Sequence, residues 1–569
     1  MNITNRPGKA EIILCAALCA FYFALMLLTS THYGVTWDEP PDWYIAHRNI
    51  GYLLTLDSKW IDFGHNFALY HGTDHPELYF SEQPLWTLYF GNLMSSIGCL
   101  IFYEKLGWLG AVEAHHLPNF LLVAAVLVAM FAHIRRNFDH VAAVVACLAI
   151  AFQPRFFADT HFNTKDIPYA CLMAFTLLAA RRGIIRMSPC WIFAASVLWG
   201  LAACASLNAG LIPVVLLFWY ICSRNDIKAS RLSPPEDYNH KRTRELRLML
   251  EGSPLIAFVA FVAVWPYLWT DTIYKTGEFL RYYFGVVSSG KGGIQWDTIL
   301  LFLAVQPPAV LLFGGIGIAS AIYNIIRRKN NEAGSFLLIW AVLPVLRMAL
   351  PRVRNYDGVR HFIEYAVPLG ALTGIGASMT LRWLAENIGK RLKRREIFGR
   401  ILSGALVFAP FIPWAWTMIK IHPHELVYFN FIAGGAKGAQ ERWSDATDYW
   451  GSSYREGMKW LNENTERGAW VVVPIAGHIV MSTRQMWMRN DLRTPGVGQR
   501  ISMDEFLGIL GQAHEEPIYA MYITKKEWRD DVILKIESEW ALRHSINVDG
   551  APILKIYKMA NSPQIPFDR

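Results

Sequence analysis

The chain has 569 residues, of which 53% are hydrophobic, 14% aromatic and only 18% charged. A soluble globular protein of this length carries more charge and interrupts its apolar runs more often, so that class is excluded. Lys and Arg outnumber Asp and Glu to give a formal net charge of +8. Most of that excess sits in short loops between apolar runs, which is a topology signal and excludes nucleic acid as the expected partner.

In chain order, residues 1–30 open with Arg6 and Lys9, run apolar from Ile12 to Leu28 and show no small-residue cleavage pattern. They predict an uncleaved first span rather than a signal peptide. Apolar stretches near the ~20 residues that cross a hydrocarbon core predict spans at 12–30, 118–133, 141–157, 166–180, 190–206, 208–222, 254–270, 298–322, 335–350, 362–380 and 401–420. The expected fold class is therefore a polytopic α-helical membrane protein with about 11–13 transmembrane helices. Basic clusters at Arg135-Arg136, Arg181-Arg182 with Arg186, 224–247, Arg327-Arg328-Lys329 and 390–400 all fall on one side of this scheme, taken as cytoplasmic. Segments 31–117, 158–165, 271–297, 351–361 and everything after 421 then face outside. Residues 85–103 are apolar enough to span, but Gly91, Asn92, Ser95, Ser96 and Gly98 predict a re-entrant or interfacial piece packed on protein.

The character changes after Ile421. Short apolar runs at 470–473, 518–523 and 553–557, separated by helix-like segments at 453–464 and 525–540, predict a small C-terminal α/β domain. The domain expectation is a multi-span module over 1–420 and an extracytoplasmic domain over 421–569. All eight cysteines lie at or before Cys222, so the C-terminal domain is expected to have neither disulfides nor a thiolate metal site.

Five constellations could carry chemistry. Asp38-Glu39 open the first outside loop, followed by Pro40 and Pro41, which lack N–H donors and stiffen the backbone. Adjacent carboxylates at a membrane interface suit a general base or a divalent-cation site. The same loop ends with Asp74-His75-Pro76-Glu77 and Ser81-Glu82-Gln83-Pro84-Leu85, where carboxylates and imidazoles could bind a metal. Between two spans, Arg155, Lys165 and Asp166 converge at one interface, which is costly unless they meet each other, water or an anionic ligand. Arg352, Arg354, Asp357, Arg360 and His361 crowd a short outside loop against the positive-inside trend, and arginine forks bind phosphate. Ser288 to Gly293 reads as a flexible lid over that site. Finally His422-Pro423-His424-Glu425 leads into Tyr428-Phe429-Asn430, Gly434-Gly435 and Asp448-Tyr449-Trp450-Gly451.

These residues resemble motifs of the C-type membrane glycosyltransferases. Within that superfamily the chain is similar to the bacterial group containing protein O-mannosyltransferase-like and aminoarabinose lipid A transferase-like enzymes, of the glycosyltransferase family 39 type. The resemblance rests on Asp38-Glu39 after the first span, Gln83-Pro84-Leu85, Asp166-Ile167-Pro168, Tyr356-Asp357-Gly358 through Phe362, and the His422 to Gly451 series. It implies an inverting transfer of a sugar from a polyprenyl-phosphate donor, outside the cytoplasm, to a glycan, lipid or protein acceptor. The location implied is a bacterial inner membrane, with membrane lipids as neighbours. Asp38 would be the base, with Glu39 and Asp166 positioning the acceptor or a divalent cation, for which Asp38, Asp166 and His75 are the candidate ligands. Glu82 replaces the basic or histidine residue usual before Pro-Leu. Arg155, Lys165 and Arg360 therefore become the candidates for holding the carrier phosphate, with His361, Glu82, His422 and Glu425 as further substrate contacts. A transporter, suggested by Asn208 and Gln306 within spans, and a non-catalytic assembly protein are the rival expectations.

Overall fold

The structure is a computed structural model that describes residues 8–57, 60, 90–230, 236–287, 290, 292–329, 331–391, 396–495, 498–513 and 516–560. It divides into two compact units, one formed by 1–28 with 85–420 and the other by 29–84 with 421–569.

The first unit is helical. Among the described residues, seven helices are long and apolar enough to cross a membrane, or nine if each of two bent pairs is one span. The bent pairs are His140–Ala151 with Pro154–Phe162, at 58°, and Ile397–Phe408 with Phe411–Ile421, at 41°. Two further expected spans, near 190–206 and 335–350, are the 17-residue helices Pro189–Ala205 and Glu332–Met348. All eleven expected spans are thus helical, with bounds that differ. The expected 254–270 span begins earlier, because the helix Glu236–Val264 takes in part of the basic stretch read as a loop. The expected 298–322 span is interrupted between Ala304 and Pro308. Of the segment 85–103, residues from Phe90 form a nine-residue helix that runs into a π-helical stretch, Cys99–Lys105.

Without a hydrophobic drive between apolar helices in lipid, close approach depends on small residues. The helix Ala366–Arg391 shows this on two faces. A Cβ on Gly376 would lie 1.9 Å from the Phe313 carbonyl oxygen, and one on Gly374 would lie 2.2 Å from that of Ala142. Only glycine permits both contacts, which seat this helix between Pro308–Ile326 and His140–Ala151. Elsewhere, the buried Arg181 donates to Glu332 through Nε at 2.9 Å, and Trp219 donates to the Glu332 carbonyl at 3.1 Å.

The second unit is built on a four-stranded sheet of β1 (Trp470–Val472), β2 (Ile518–Ile523), β3 (Trp540–Val548) and β4 (Ala551–Met559), in the order β1-β2-β4-β3. β1 runs parallel to β2, and the other neighbours are antiparallel. Every residue of β2 is buried, which is why it reads in sequence as a continuous apolar run. β3 and β4 meet at Asp549-Gly550, both with positive φ (48° and 76°), the conformation of a tight hairpin turn. β3 was missed in the sequence because Arg543 and His544 interrupt its pattern. The expected helix at 525–540 is instead a short turn at Lys526–Trp528 followed by Asp531–Glu539. Residues 29–57 belong to this unit. Trp37 N–H donates to the Trp450 carbonyl at 2.8 Å, Arg455 Nη1 donates to the Tyr33 carbonyl at 2.8 Å, and Gly34 lies so close to Ser452 that a Cβ would stand 2.2 Å from its oxygen.

Candidate functional site

In the second unit, Asp38 is the N-cap residue of the helix Glu39–Thr55, and its side chain does not cap that helix. Pro40 and Pro41 lie in the helix's first turn, where missing N–H groups leave no intrahelical bond unmade. The motif read as a stiff loop is therefore a helix start. Glu39 is 1% exposed, and its Oε2 accepts both the Thr36 N–H, at 2.6 Å, and the Thr36 hydroxyl, at 2.9 Å. Glu39 locks the turn from which Asp38 projects, half-buried. Asp42 and Arg48, on the same helix, are each 2% exposed, and Arg48 Nε donates to the Trp60 carbonyl at 2.7 Å.

Two features fix Trp37, immediately before the acid. Asp448 ties the 448–453 turn by accepting from Gly451 N–H at 2.9 Å and Ser453 N–H at 2.7 Å, and that turn presents the Trp450 carbonyl to Trp37. His478, in the helix Gly477–Trp487, bonds the Trp37 carbonyl through Nε2 at 2.9 Å, ring edge to ring face at 5.1 Å. A carbonyl only accepts, so Nε2 carries the proton. Burial lowers the His478 pKa, opposed by the bond to Trp37 and by the Asp38 charge. No sequence pattern singled out His478.

His422 and Glu425 also belong to the second unit. Glu425, 1% exposed, accepts from Tyr33 hydroxyl at 2.6 Å and from His422 Nδ1 at 2.8 Å, while His422 Nε2 meets His32 Nδ1 at 2.7 Å. The two residues form one hydrogen-bonded chain leading from exposed His32 to the buried carboxylate.

In the first unit the structure brings together Arg155, Asp159, Asn163, Asp166, Asp357, Arg360 and Glu364, of which Arg155, Asp159 and Glu364 are each 1% exposed. Asn163 is the hub. Its Oδ1 accepts the N–H groups of Lys165 (3.1 Å) and Asp166 (2.8 Å), an Asx turn that starts the helix Asp166–Arg186. Its Nδ2 donates to Asp159 Oδ1 (3.2 Å) and Asp166 Oδ2 (3.0 Å). Arg360 reaches Asp357 at 2.8 Å and Asp166 at 3.6 Å, and its guanidinium lies over the Tyr356 ring, which also packs on His361. Arg347 donates to the His361 carbonyl at 2.7 Å and approaches Glu364 at 3.8 Å. Asp159, Asn163, Arg347 and Glu364 had no role assigned from sequence. Asp159 and Asn163 lie in the short segment 158–165 expected to face outside, while Arg347 and Glu364 lie in expected spans, where the signal available was a charged residue inside each span.

The polar residues behind the transporter expectation have structural duties. Asn208 Nδ2 donates to the His361 carbonyl at 2.9 Å, and Gln306 Nε2 donates to Tyr365 hydroxyl at 2.9 Å. Glu82 and His75 lie outside the described residues, as do Ser288, Ser289 and Lys291 of the 288–293 segment. Gly290 is described, and its N–H donates to the Arg352 carbonyl at 3.0 Å.

A family described as dolichyl-phosphate-mannose-protein mannosyltransferase matches residues 110–233. No curated protein sequence matches the chain. Among solved structures, ArnT from Cupriavidus metallidurans in the apo state is 15% identical, with 96% of this chain and 98% of that one covered at a TM-score of 0.48. The same protein bound to undecaprenyl phosphate is 16% identical over 97% and 98%, again at 0.48. The oligosaccharyltransferase AglB from Archaeoglobus fulgidus, in complex with an inhibitory peptide and a dolichol-phosphate, is 13% identical over 99% of this chain and 76% of that one, at 0.46. At these identities and scores, none of the three bears on substrate or residue roles. Over residues 110–233, which include Arg155, Asp159, Asn163 and Asp166, the chain is similar to dolichyl-phosphate-mannose-protein mannosyltransferases.

Proposed function

We propose that this chain is a membrane glycosyltransferase that moves a sugar from a polyprenyl-phosphate donor to a glycan, lipid or protein acceptor, with inversion, on the outer face of a bacterial inner membrane. The observation that carries the reading is the buried charge cluster around Asn163, Asp166 and Arg360, lying partly within the segment that resembles protein mannosyltransferases. Buried charges of this density cost stability, even when paired, and are retained where a charged ligand needs them.

In the proposed reaction an acceptor hydroxyl or amine attacks the anomeric carbon. The bond from that carbon to the phosphate oxygen breaks, and polyprenyl phosphate leaves with the electron pair. Asp38 takes the acceptor's proton. Arg155, Lys165 and Arg360 bind the phosphate and steady the charge that grows on it. Glu39 holds Asp38 in position through Thr36, and His422 with Glu425 contributes to substrate binding. A divalent cation would compete at Asp166 with Asn163 and Arg360, which both meet Oδ2, and the steps above require none.

The test uses the purified full chain in detergent, a polyprenyl-phosphate hexose and a panel of glycan, lipid and peptide acceptors. Asp38→Asn should lower transfer by about 10²–10⁴-fold, the usual contribution of a general base, with unchanged membrane insertion. Wild-type turnover by that variant sinks the base assignment. Failure of the wild-type chain to transfer from any such donor sinks the function.

A further inference from the structure

The second unit contains a cleft of ≈ 590 Å³ that none of these steps uses, within the size range of small-molecule sites. Four aromatic side chains line it. Tyr522 and Tyr557 stack on each other at 5.9 Å with 5° between their planes. Trp443 is backed by Phe429 at 5.8 Å and 15°, with the Arg442 guanidinium 5.1 Å from its ring centroid. The Trp528 ring is held by Lys525 Nζ, 4.4 Å from its centroid, and by the Trp37 ring at 5.0 Å. Trp37, the residue before Asp38, thus touches a residue that lines the cleft.

Polar groups stand between the aromatic planes. Lys525, Lys526, Arg529 and Lys555 line the cleft with Glu537. Arg529 and Lys555 share that one carboxylate, at 2.7 and 2.8 Å. Lys525 is balanced by Asp445 at 2.9 Å, and Glu527 bonds the cleft residue Ser444 at 2.9 Å. Four cations thus meet three carboxylates, a surplus of one positive charge, and Lys526, one of the four, is exposed.

We infer that this cleft is an acceptor subsite that binds a saccharide bearing an acidic group. A pyranose ring presents a C–H face that packs on an aromatic plane and a rim of hydroxyls that bonds polar side chains. Trp443, Trp528 and the tyrosine pair supply the planes. Gln440, Thr447 and Thr524 line the same cleft for the hydroxyls, and the surplus cation meets a carboxylate or phosphate on the sugar. The inference rests on the glycosyltransferase reading, of which it specifies the acceptor.

The experiment measures binding to the full chain in detergent by calorimetry, without donor, using a glucuronosyl-glucose disaccharide and its neutral twin cellobiose. The acidic disaccharide should bind at least tenfold more tightly. Trp528→Ala should weaken both sugars at least tenfold, and Lys526→Glu should abolish the preference while cellobiose binding persists. Equal affinity for the two sugars, or affinities unmoved by both substitutions, overturns the inference. Disaccharide binding by a wild-type chain that transfers from no polyprenyl-phosphate donor would remove the glycosyltransferase reading and keep the cleft as a saccharide site. Transfer by a wild-type chain that binds neither disaccharide would do the reverse.

Discussion

A carboxylate oxygen that accepts a backbone N–H and a hydroxyl from the same residue is poorly placed to take a proton from a substrate, and this separates Glu39 from its neighbour. Hydrogen bonds to a charged group contribute about 1.5–3 kcal/mol, and Glu39 makes two of them to Thr36 within a buried turn. Glu39→Ala is therefore expected to destabilise the second unit by about 2 kcal/mol and to reduce transfer by misplacing Asp38. Asp38→Ala, which leaves Glu39 bonded to Thr36, should abolish transfer with a smaller shift in melting temperature. Thermal unfolding of both variants beside their transfer rates is the check. If Asp38→Ala melts lower than Glu39→Ala, the division of labour is reversed. In the sequence only the family resemblance divided the two acids, with Asp38 as base and Glu39 as a positioning residue; the partner that occupies Glu39 is Thr36, a residue with no chemical signature.

Helix packing offers a test at the next scale. Gly376→Ala forces a Cβ to 1.9 Å from the Phe313 carbonyl, and Gly374→Ala forces one to 2.2 Å from that of Ala142, whereas a Cβ on Gly404 meets nothing within 4 Å. Backbone cannot yield as a flexible side chain can, so the first two substitutions should cost about 1–3 kcal/mol, as overpacking does. Gly404→Ala should be neutral or stabilising, since alanine favours the helix by about 1 kcal/mol. Yield and melting temperature in detergent report both effects, and equal behaviour of Gly376→Ala and Gly404→Ala would refute the packing argument. Element existence was legible for the spans and for three of the four strands: each expected span is helical, and β1, β2 and β4 fall on the apolar runs that announced them. What stayed hidden was decided by neighbours. The breaks at 151–154 and 304–308 come where Pro154 and Pro307-Pro308 interrupt apolar runs that hydropathy reads as continuous. β3 pairs with β4 despite its charged interior. Asp159 and Glu364 joined the candidate site only once the helix Pro154–Phe162 and the turn Arg360–Tyr365 were folded.

At the scale of the whole chain, acid should act through the second unit. Burial lowers the pKa of His478, and burial pushes that of His47 down to about 4. Glu456 is also lowered, chiefly by its 3.0 Å hydrogen bond with His424. For each histidine the unfolded chain binds more protons than the folded one between the ordinary value near 6.5 and the lowered value. Stability is therefore complete above about pH 6.5 and falls as pH drops through that window. The Glu456 contribution has the same sign but a lower window, present above its ordinary 4.5 and lost as pH falls towards its folded value. Unfolding of the full chain should hence show a melting temperature that is flat from neutral pH down to about 6.5 and declines below it. His478→Gln keeps an N–H donor for the Trp37 carbonyl but does not titrate, so it should shallow the decline without flattening it, because His47 still contributes. An unchanged slope in His478→Gln would mean that the imidazole held against Trp37 is not what acid attacks. Transfer activity should follow the same decline, since the Trp37 carbonyl that His478 holds is joined by one peptide bond to Asp38.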